Sequence, residues 1–285
     1  MAIVFENLSY TYSASTPFEF EALKEINLTI ETGKITALVG ATGSGKSTLV
    51  QHLNALLTPT TGRLFVDDKR IEAGTKPTEL KKLRKKVGLV FQFPEAQLFE
   101  EDILKDVAFG PKNFGYGEPE ATELAKDSLR LVGIEESLFA QSPLDLSGGQ
   151  KRRVAIAGVL ATNPDILVCD EPTAGLDPQG SIQMMELFKS FNEELNKTII
   201  LVTHDMEHVL NYADNVVVLD KGRVIFTGTN TEFFENDELL QSLTILPPKV
   251  ISMRQRLIAR GFDIPRNIFT MDELVKQMKR VMSHE

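Results

Sequence analysis

One stretch of eight residues decides how this sequence is interpreted: Gly40-Ala41-Thr42-Gly43-Ser44-Gly45-Lys46-Ser47. It matches the P-loop pattern G-x-x-x-x-G-K-[ST] at every fixed position. Glycines at this spacing let successive backbone N–H groups converge on an anion, and the helix that follows presents the positive end of its dipole to the same place. Lys46 is expected to reach the β- and γ-phosphates of a nucleotide, and the Ser47 hydroxyl to bind Mg²⁺. The predicted nucleotide contacts are the eight residues of this loop and Thr48, which follows it.

The chain around this loop alternates between strand and helix patterns. Residues 35–39 are continuously apolar and run into Gly40, whereas residues 3–8 and 26–30 alternate apolar with polar, as half-buried strands do. Further strands are predicted at 87–91, 166–169, 198–202 and 215–219, helices at 46–57, 118–132, 148–162, 179–195 and 204–212, and a loop at 58–62. This alternation favours an α/β fold with a mainly parallel sheet that helices cover on both faces. The strand and helix on either side of the glycine-rich stretch argue against a chance turn.

The C-terminal part of the chain is expected to form a small helical appendage. Leu246-Pro247-Pro248 suggests a boundary, which divides the chain into residues 1–245 and 246–285. Thr270 and Glu273 have capping-box spacing at the start of a helix. One face of that helix is apolar, and we interpret it as a packing or dimerisation face. Its residues are Met271, Leu274, Val275, Met278, Val281 and Met282.

Composition narrows the classes of function. The 285 residues carry a formal net charge of −9, which disfavours nucleic acid as a partner because phosphate binding needs a basic surface. The basic run at 81–86 is therefore expected to be a solvated helix face. The single cysteine, Cys169, lies in an apolar run and is expected to be buried rather than reactive. No apolar run approaches the roughly 20 residues that cross a bilayer, and no signal peptide is visible. A membrane role would therefore require a partner.

Two adjacent carboxylates close the predicted strand at 166–169. In open α/β sheets, ligands collect at the carboxyl ends of the strands, where Asp170 and Glu171 would lie. Asp170 is expected to hold Mg²⁺ through water, and Glu171 to polarise the water that attacks the γ-phosphate, as a general base does. Either acid alone would be interpreted as a solvated loop carboxylate, but the P-loop upstream favours a catalytic pair.

A second anion site is predicted at Leu146-Ser147-Gly148-Gly149-Gln150. Ser147 is a favourable N-cap residue, and the glycines leave the backbone open to a ligand, although such a stretch alone is usually a plain helix cap. Together with the preceding motifs it resembles the ATP-binding-cassette (ABC) family over residues 1–235. The resemblance implies an ABC-type nucleotide-binding domain with a helical subdomain near 93–162. It also implies that Ser147, Gly149 and Gln150 contact the γ-phosphate bound by a partner subunit.

The same resemblance implies roles for further positions. Gln92 is similar to the loop glutamine that links Mg²⁺ and the attacking water to a transmembrane partner. Asp177 ends a segment that resembles the D-loop at the dimer interface, and His204 resembles the switch histidine that grips the γ-phosphate. Tyr12 resembles the aromatic residue that stacks on adenine, and Tyr10, two residues away, remains an alternative. Because each motif occurs once, two chains would have to meet head to tail, with ATP and Mg²⁺ between them.

Three segments indicate a particular kind of cassette. They are residues 91–99 (FQFPEAQLF), 106–111 (DVAFGP) and 261–265 (GFDIP). All three resemble the ATPases of energy-coupling factor (ECF) transporters, which import vitamins and transition-metal ions. The form of residues 93–95 is similar to the second of the two ATPases in that family. The resemblance implies a peripheral protein on the cytoplasmic face of the cell membrane.

The partners implied by the resemblance are a paralogous ABC ATPase, a transmembrane coupling subunit and, indirectly, a substrate-capture membrane subunit. A homodimer remains possible in place of the heterodimer. Residues 91–99 would lie beside a groove that receives helices of the coupling subunit. Phe93, Leu98 and Phe99 are expected to be exposed there, and a partner site explains exposed apolar residues better than an incidental loop does.

Two rival functions remain. A soluble ABC ATPase acting on nucleic acid or ribosomes usually carries two cassettes in one chain or a long coiled-coil insert, and neither is visible here. A nucleotide-gated clamp without hydrolysis would usually lack Glu171 or His204. Both observations favour an ATPase that powers membrane transport.

Overall fold

The structure is a computed structural model that describes residues 2–76, 80–243 and 245–282, and these residues form ten strands and eleven α-helices. The strands are β1 (Ala2–Tyr12), β2 (Phe20–Glu31), β3 (Ile35–Val39), β4 (Thr61–Val66), β5 (Lys69–Glu72), β6 (Val87–Val90), β7 (Ile166–Asp170), β8 (Thr198–Val202), β9 (Asn215–Asp220) and β10 (Arg223–Thr229). The helices are α1 (Lys46–Leu53), α2 (Lys81–Lys86), α3 (Ile103–Phe114), α4 (Glu118–Leu131), α5 (Gly148–Leu160), α6 (Pro178–Glu193), α7 (Met206–Tyr212), α8 (Asn230–Glu235), α9 (Asp237–Ser242), α10 (Lys249–Ala259) and α11 (Met271–Met282).

The larger sheet is mainly parallel, as predicted. Its six strands lie in the order β10-β9-β3-β8-β7-β6, and the pairs β9/β3, β3/β8, β8/β7 and β7/β6 are all parallel. Strands β3, β6 and β8 are buried along their whole length, which explains their continuous apolar runs. The carboxyl ends of β3, β8, β7 and β6 therefore lie side by side at one edge of this sheet.

The N-terminal strands belong to a second sheet that the sequence did not indicate. It is antiparallel, with the order β2-β1-β4-β5. The predicted loop at 58–62 was wrong at its end, because Thr61 and Gly62 already belong to β4. Gly62 has φ +72°, and a Cβ atom there would lie 2.1 Å from the Asn7 carbonyl oxygen, so glycine permits this close approach.

Helices α3, α4 and α5 form a helical layer, and in sequence they lie between strands β6 and β7 of the larger sheet. The helices predicted at 118–132 and 148–162 are α4 and α5, whereas α3 was not predicted. Their apolar faces share one buried cluster with β6, β7 and α6. Cys169 in β7 belongs to this cluster and is fully buried, and burial raises the pKa of its thiol well above the ordinary value. In α2 the side chains of Lys81, Lys82 and Arg84 are exposed, which confirms a solvated basic face.

The C-terminal helices pack against the core of the larger sheet. Val250 and Ile251 of α10 and Leu274 of α11 share a buried cluster with Ala37 of β3 and Val216 of β9. The Thr270–Glu273 capping box is formed, with the Glu273 amide donating to Thr270 Oγ1 at 3.3 Å. The apolar face of α11 is only partly covered, because Met271, Val275 and Met282 are exposed. The division of the chain at 245/246 and a dimerisation role for this face stay predictions.

Within the described ranges, no helix is both long enough and apolar enough to cross a bilayer.

Candidate nucleotide site

The candidate site forms where four neighbouring parallel strands end. In the register of the sheet, Val202 of β8 lies beside both Leu38 of β3 and Asp170 of β7, and Cys169 of β7 lies beside Val90 of β6. The P-loop, His204, Glu171 and Gln92 follow these four strands, and Asp170 is the last residue of β7. Parallel pairing thus brings motifs that are far apart in sequence to one edge of the sheet.

The P-loop has a shape that its glycines make possible. Gly40 has φ +150°, and a Cβ atom there would lie 2.2 Å from the Leu219 carbonyl oxygen. Gly45 has φ +105°, and a Cβ atom there would lie 2.9 Å from the Ala22 carbonyl oxygen. Both contacts are too close for any side chain, so these positions require glycine. Helix α1 then begins at Lys46, and its first backbone N–H groups face the loop.

The Lys46 side chain folds back over the P-loop. Its Nζ donates to the carbonyl oxygens of Gly40 at 2.8 Å and Ala41 at 2.9 Å. Burial lowers the pKa of the Lys46 ammonium, and the nearby charges of Glu171 and Asp170 oppose that shift. Burial also raises the pKa of the Asp170 carboxyl, against a hydrogen bond from Ser47 and the charge of Lys46. The structure therefore brings together the predicted phosphate ligand Lys46 and the predicted Mg²⁺ ligands Ser47 and Asp170.

A cavity of about 460 Å³ lies over the loop. It is lined by Gly40, Ala41, Thr42, Lys46, Glu171, His204, Ile245 and Leu246. His204 Nδ1 donates to Glu171 Oε1 at 2.8 Å, and the Glu171 side chain is 17% exposed whereas that of His204 is 75% exposed. Glu171 has φ +49°, which is uncommon for a residue with a side chain, and its amide donates to the Val202 carbonyl at 2.9 Å. A carboxylate held in this way can accept a proton from a water molecule in the cavity.

The helix predicted from His204 begins later than expected. Helix α7 starts at Met206, because Asp205 is its N-cap and accepts hydrogen bonds from the amides of Glu207 at 2.9 Å and His208 at 3.2 Å. His204 therefore lies in the loop after β8, where its exposed side chain contacts Glu171.

A second cavity of about 200 Å³ lies on the other side of the P-loop. It is lined by Phe20, Ala22, Gly43, Gly45, Lys46, Ser47 and Thr48. The Tyr12 hydroxyl lies 3.2 Å from Thr48 Oγ1, and Tyr12 is opposite Phe20 in the β1/β2 pair, so both rings are on one face. Phe20 was not predicted as a site residue, and its pairing with Tyr12 could not be seen in the sequence. Lys46 lines both cavities.

Tyr10 is adjacent to Tyr12 and packs against the core, and neither tyrosine lines the two P-loop cavities. The Tyr10 ring meets the Tyr12 ring edge to face at 4.8 Å and the His52 ring at 5.0 Å, and it packs against the core of the antiparallel sheet. His52 Nδ1 donates to the Thr48 carbonyl at 2.7 Å, and burial lowers the pKa of His52 to about 4, so this support is neutral at pH 7. Tyr12, which is 37% exposed, is the better candidate for a base contact.

The predicted second anion site lies apart from both cavities. Ser147 is the N-cap of α5, and it forms a capping box in which the Gln150 amide donates to Ser147 Oγ at 3.3 Å and the Ser147 amide to Gln150 Oε1 at 2.9 Å. Ser147 and Gly149 are exposed, and neither lines the cavities of the described P-loop region. Asp177 is also exposed and caps α6, accepting from the Gly180 amide at 2.6 Å. None of Ser147, Gly149 and Asp177 lines either of the two P-loop cavities.

The segment 91–99 lies at the end of β6 next to the site. Gln92 is exposed and does not line the cavity that contains Glu171, although it follows the strand beside β7. Phe93 and Phe99 are exposed, as expected, and the Phe99 ring meets Phe109 of α3 edge to face at 4.9 Å. The expectation for Leu98 was wrong: it is half-buried, because it packs against the cluster of the helical layer. Phe109, which is 43% exposed, extends this aromatic surface and was not predicted as part of it.

Comparison with known proteins adds an independent observation. A family model described as "ABC transporter" matches residues 23–174. The energy-coupling factor transporter ATP-binding protein EcfA2 of Lactiplantibacillus plantarum is 53% identical over 274 residues, which cover 96% of this chain and 93% of that protein. The protein of the same name from Streptococcus agalactiae serotype Ia is 54% identical over 279 residues, covering 98% of this chain and 99% of that protein.

Two solved structures are similar over most of their length. One is cbiO1 from Clostridium perfringens, part of the ABC transporter complex cbiONQ, with a TM-score of 0.74 at 40% identity; the match covers 92% of this chain and 98% of that one. The other is a dimer of the ATP-binding cassette MJ0796 in a post-hydrolysis state with ADP and Pi, with a TM-score of 0.70 at 33% identity. That match covers 80% of this chain and 98% of the other.

Proposed function

The chain belongs to the ABC transporter family and, within it, to the ATP-binding proteins of energy-coupling factor transporters, and we propose from this premise that it hydrolyses ATP to drive uptake of vitamins or transition-metal ions through membrane subunits. The observation that carries the proposal is the arrangement of Lys46, Glu171 and His204 around one cavity at the P-loop. A nucleotide-gated clamp without hydrolysis would not need a carboxylate and a histidine in contact at the γ-phosphate end. The full-length likeness to transporter subunits disfavours a soluble ATPase that acts on nucleic acid or ribosomes.

The residues at the site fit ATP with Mg²⁺. Mg²⁺ usually binds one or two protein oxygens and fills its remaining positions with phosphate and water. The Ser47 hydroxyl and the Asp170 carboxylate, in contact beside Lys46, would supply those oxygens, and Gln92 would approach from β6. The ion, when bound, would neutralise charge on the β- and γ-phosphates. Glu171 would accept the proton of the attacking water, while Lys46 and His204 would hold the γ-phosphate.

Two chains are needed to complete the site. Ser147 and Gln150 close a capping box at the start of α5, and Gly149 is exposed there. We propose that this helix start binds the γ-phosphate of an opposing chain. Asp177 would line the seam between the chains. We propose a paralogous ATPase as the opposing chain, with a second copy of this chain as the alternative, and the apolar face of α11 as a further contact between the two. Nucleotide binding would then close the pair and hydrolysis would release it.

The membrane partner is proposed to dock beside residues 91–99. Phe93, Phe99 and Phe109 expose aromatic surface next to the end of β6, where a coupling subunit would also be close to Gln92. The chain would thereby be held at the cytoplasmic face of the membrane as a peripheral protein, and a substrate-capture subunit would be reached only through the coupling subunit.

The function is tested by co-expressing the chain with candidate membrane subunits, extracting the complex in mild detergent and measuring phosphate release. We expect a complex that contains two ATPase chains and hydrolyses ATP faster than the ATPase pair alone. Replacing both Phe93 and Phe99 by serine should remove the membrane subunits from the complex but leave ATP binding intact. Recovery of the chain with ribosomes or nucleic acid, and without hydrophobic partners, would contradict the proposal.

The base contact gives a separate prediction. Tyr12→Ala should weaken ATP binding by roughly 5- to 150-fold, since stacking on an aromatic ring contributes about 1–3 kcal/mol per base. Phe20→Ala should also weaken ATP binding. The affinity for inorganic triphosphate should not change in either variant. Calorimetric titration with ATP and with inorganic triphosphate measures the two affinities. Phe18→Ala is the matched control, because Phe18 is 84% exposed near the same strand end. Equal losses for ATP and triphosphate would contradict a role in base binding.

A further inference from the structure

Arg152 is a buried charged residue that neither the motifs nor the proposed chemistry uses. It lies in the first half of α5, shortly after the Ser147 cap, and is 3% exposed. A guanidinium cannot lose its charge in a protein, so burying it requires partners for its N–H groups. The partners of Arg152 lie in two different segments of the chain.

The guanidinium connects two segments that are distant in sequence. Its Nε and Nη2 donate to the two carboxylate oxygens of Glu95 at 3.0 and 2.7 Å. Its Nη1 donates to the carbonyl oxygens of Pro172 at 3.2 Å and Ala174 at 2.7 Å. Glu95 belongs to the segment 91–99, whereas Pro172 and Ala174 belong to the loop between Glu171 and Asp177. One side chain thus holds the start of the anion-binding helix, the proposed docking segment and the loop next to the proposed general base.

The planar fork of arginine is required for this arrangement. Parallel N–H groups match a carboxylate in a bidentate pair, and the remaining edge of the fork is left for the two carbonyls. Burial raises the pKa of the Glu95 carboxyl, but hydrogen bonds from Arg152 and from the backbone together hold that pKa below its ordinary value. Glu95 therefore remains charged at neutral pH, and the pair is ionic.

Phe93 reinforces the same connection. Its backbone has φ +55°, in the left-handed region, at the start of the short 3₁₀ helix Pro94–Gln97. The Arg152 guanidinium lies 5.8 Å from the centre of its ring, within the range of a cation–π contact. A Cβ atom on Gly175 would lie 3.4 Å from the ring edge of Phe93, so the ring also reaches the loop after Glu171. A partner that displaced Phe93 would disturb both contacts.

We propose that Arg152 is a positioning residue that couples docking at residues 91–99 to the placement of the loop 172–177, and through it to Glu171. This inference rests on the proposed function, because it requires the membrane partner and ATP hydrolysis. Movement of Glu95 or Phe93 on docking shifts the guanidinium, and the guanidinium carries the carbonyls of Pro172 and Ala174 with it. Because Arg152 is on α5, the same movement reaches Ser147, which would act on the nucleotide of the opposing chain.

The test compares ATP hydrolysis by the ATPase pair alone with hydrolysis by the complete membrane complex. Arg152→Lys keeps the charge but cannot bind Glu95 and both carbonyls at once. We expect the stimulation by the membrane subunits, which is the ratio of the two rates, to fall at least five-fold in Arg152→Lys. The affinity for ATP should change by less than two-fold. Glu95→Gln should lower the ratio as well, and the double variant should be no worse than Arg152→Lys, because the two residues act through one contact.

Arg153→Lys is the matched control. The neighbouring Arg153 donates to the Val132 carbonyl at 2.8 Å, so this substitution makes the same chemical change outside the connection between Glu95 and the loop 172–177. It should keep the wild-type ratio. An unchanged ratio in an intact Arg152→Lys complex would overturn the inference. So would equal losses of both rates together with a lower melting temperature, which would indicate a structural role alone. Failure of the wild-type complex to form or to be stimulated would instead overturn the proposed function, and this inference with it.

Discussion

Replacing Glu171 by glutamine is expected to slow ATP hydrolysis by roughly 10²- to 10⁴-fold, the usual contribution of a general base. Glutamine keeps the shape of the side chain and can still bind His204 Nδ1, whose distance to Glu171 Oε1 is 2.8 Å. It cannot accept the proton of the attacking water. ATP binding should therefore persist, and the pair of chains should accumulate in its ATP-bound, closed form. Phosphate release by the assembled complex and gel filtration with ATP measure the two effects.

The control for this experiment is Glu186→Gln. Glu186 is a carboxylate of α6 that accepts a hydrogen bond from the Tyr212 hydroxyl at 2.8 Å instead of lining the cavity. This variant should turn over ATP at the wild-type rate. If Glu171→Gln also retained a rate within about two-fold of the wild type, another group would have to be the base.

The second large effect is expected for Lys46→Ala. A hydrogen bond to a charged group contributes about 1.5–3 kcal/mol, so losing the ammonium should weaken ATP binding by roughly 10- to 150-fold. In the free chain Lys46 donates to the carbonyls of Gly40 and Ala41, which can bind water in its absence because the loop is near the surface. The fold should therefore survive the substitution. Titration with ATP at fixed ionic strength, together with thermal unfolding, separates the two effects.

Lys34→Ala controls for the loss of one positive charge, because Lys34 lies in an exposed pair with Asp214 at 3.6 Å. The Lys34→Ala variant should bind ATP with the affinity of the wild type. Should Lys46→Ala bind ATP as tightly as Lys34→Ala does, the loop would not be the phosphate site.

Much of the site was predictable because its parts are local. The spacing within residues 40–47, the Ser147 cap and the two acids at the end of β7 can each be recognised from a few consecutive residues. Parallel pairing then places the P-loop and the two acids together, since strands in this class end at one edge, whereas Ser147 lies apart from both cavities. The mainly parallel sheet followed from the same alternation of strands and helices.

The parts that could not be predicted depend on contacts between distant residues. Arg152 and Glu95 are 57 positions apart, and each alone resembles a surface charge. The antiparallel sheet depends on pairing between β1, β2, β4 and the four-residue β5, and this pairing has no local signal. Helix α3 contains Pro111, which interrupts the pattern of a helix although the structure accommodates it. Leu98 was expected to be exposed together with Phe93 and Phe99, but it packs against the cluster of the helical layer, which is distant in sequence.

The burial of Cys169 has a practical consequence. This chain contains no other sulfhydryl group, and the one it has is inaccessible and strongly disfavoured as a thiolate. Maleimide dyes and bifunctional cross-linkers should therefore ignore the native polypeptide. A cysteine introduced at an exposed position would be modified selectively, so spectroscopic labels can follow how two cassettes approach each other without first removing a background residue.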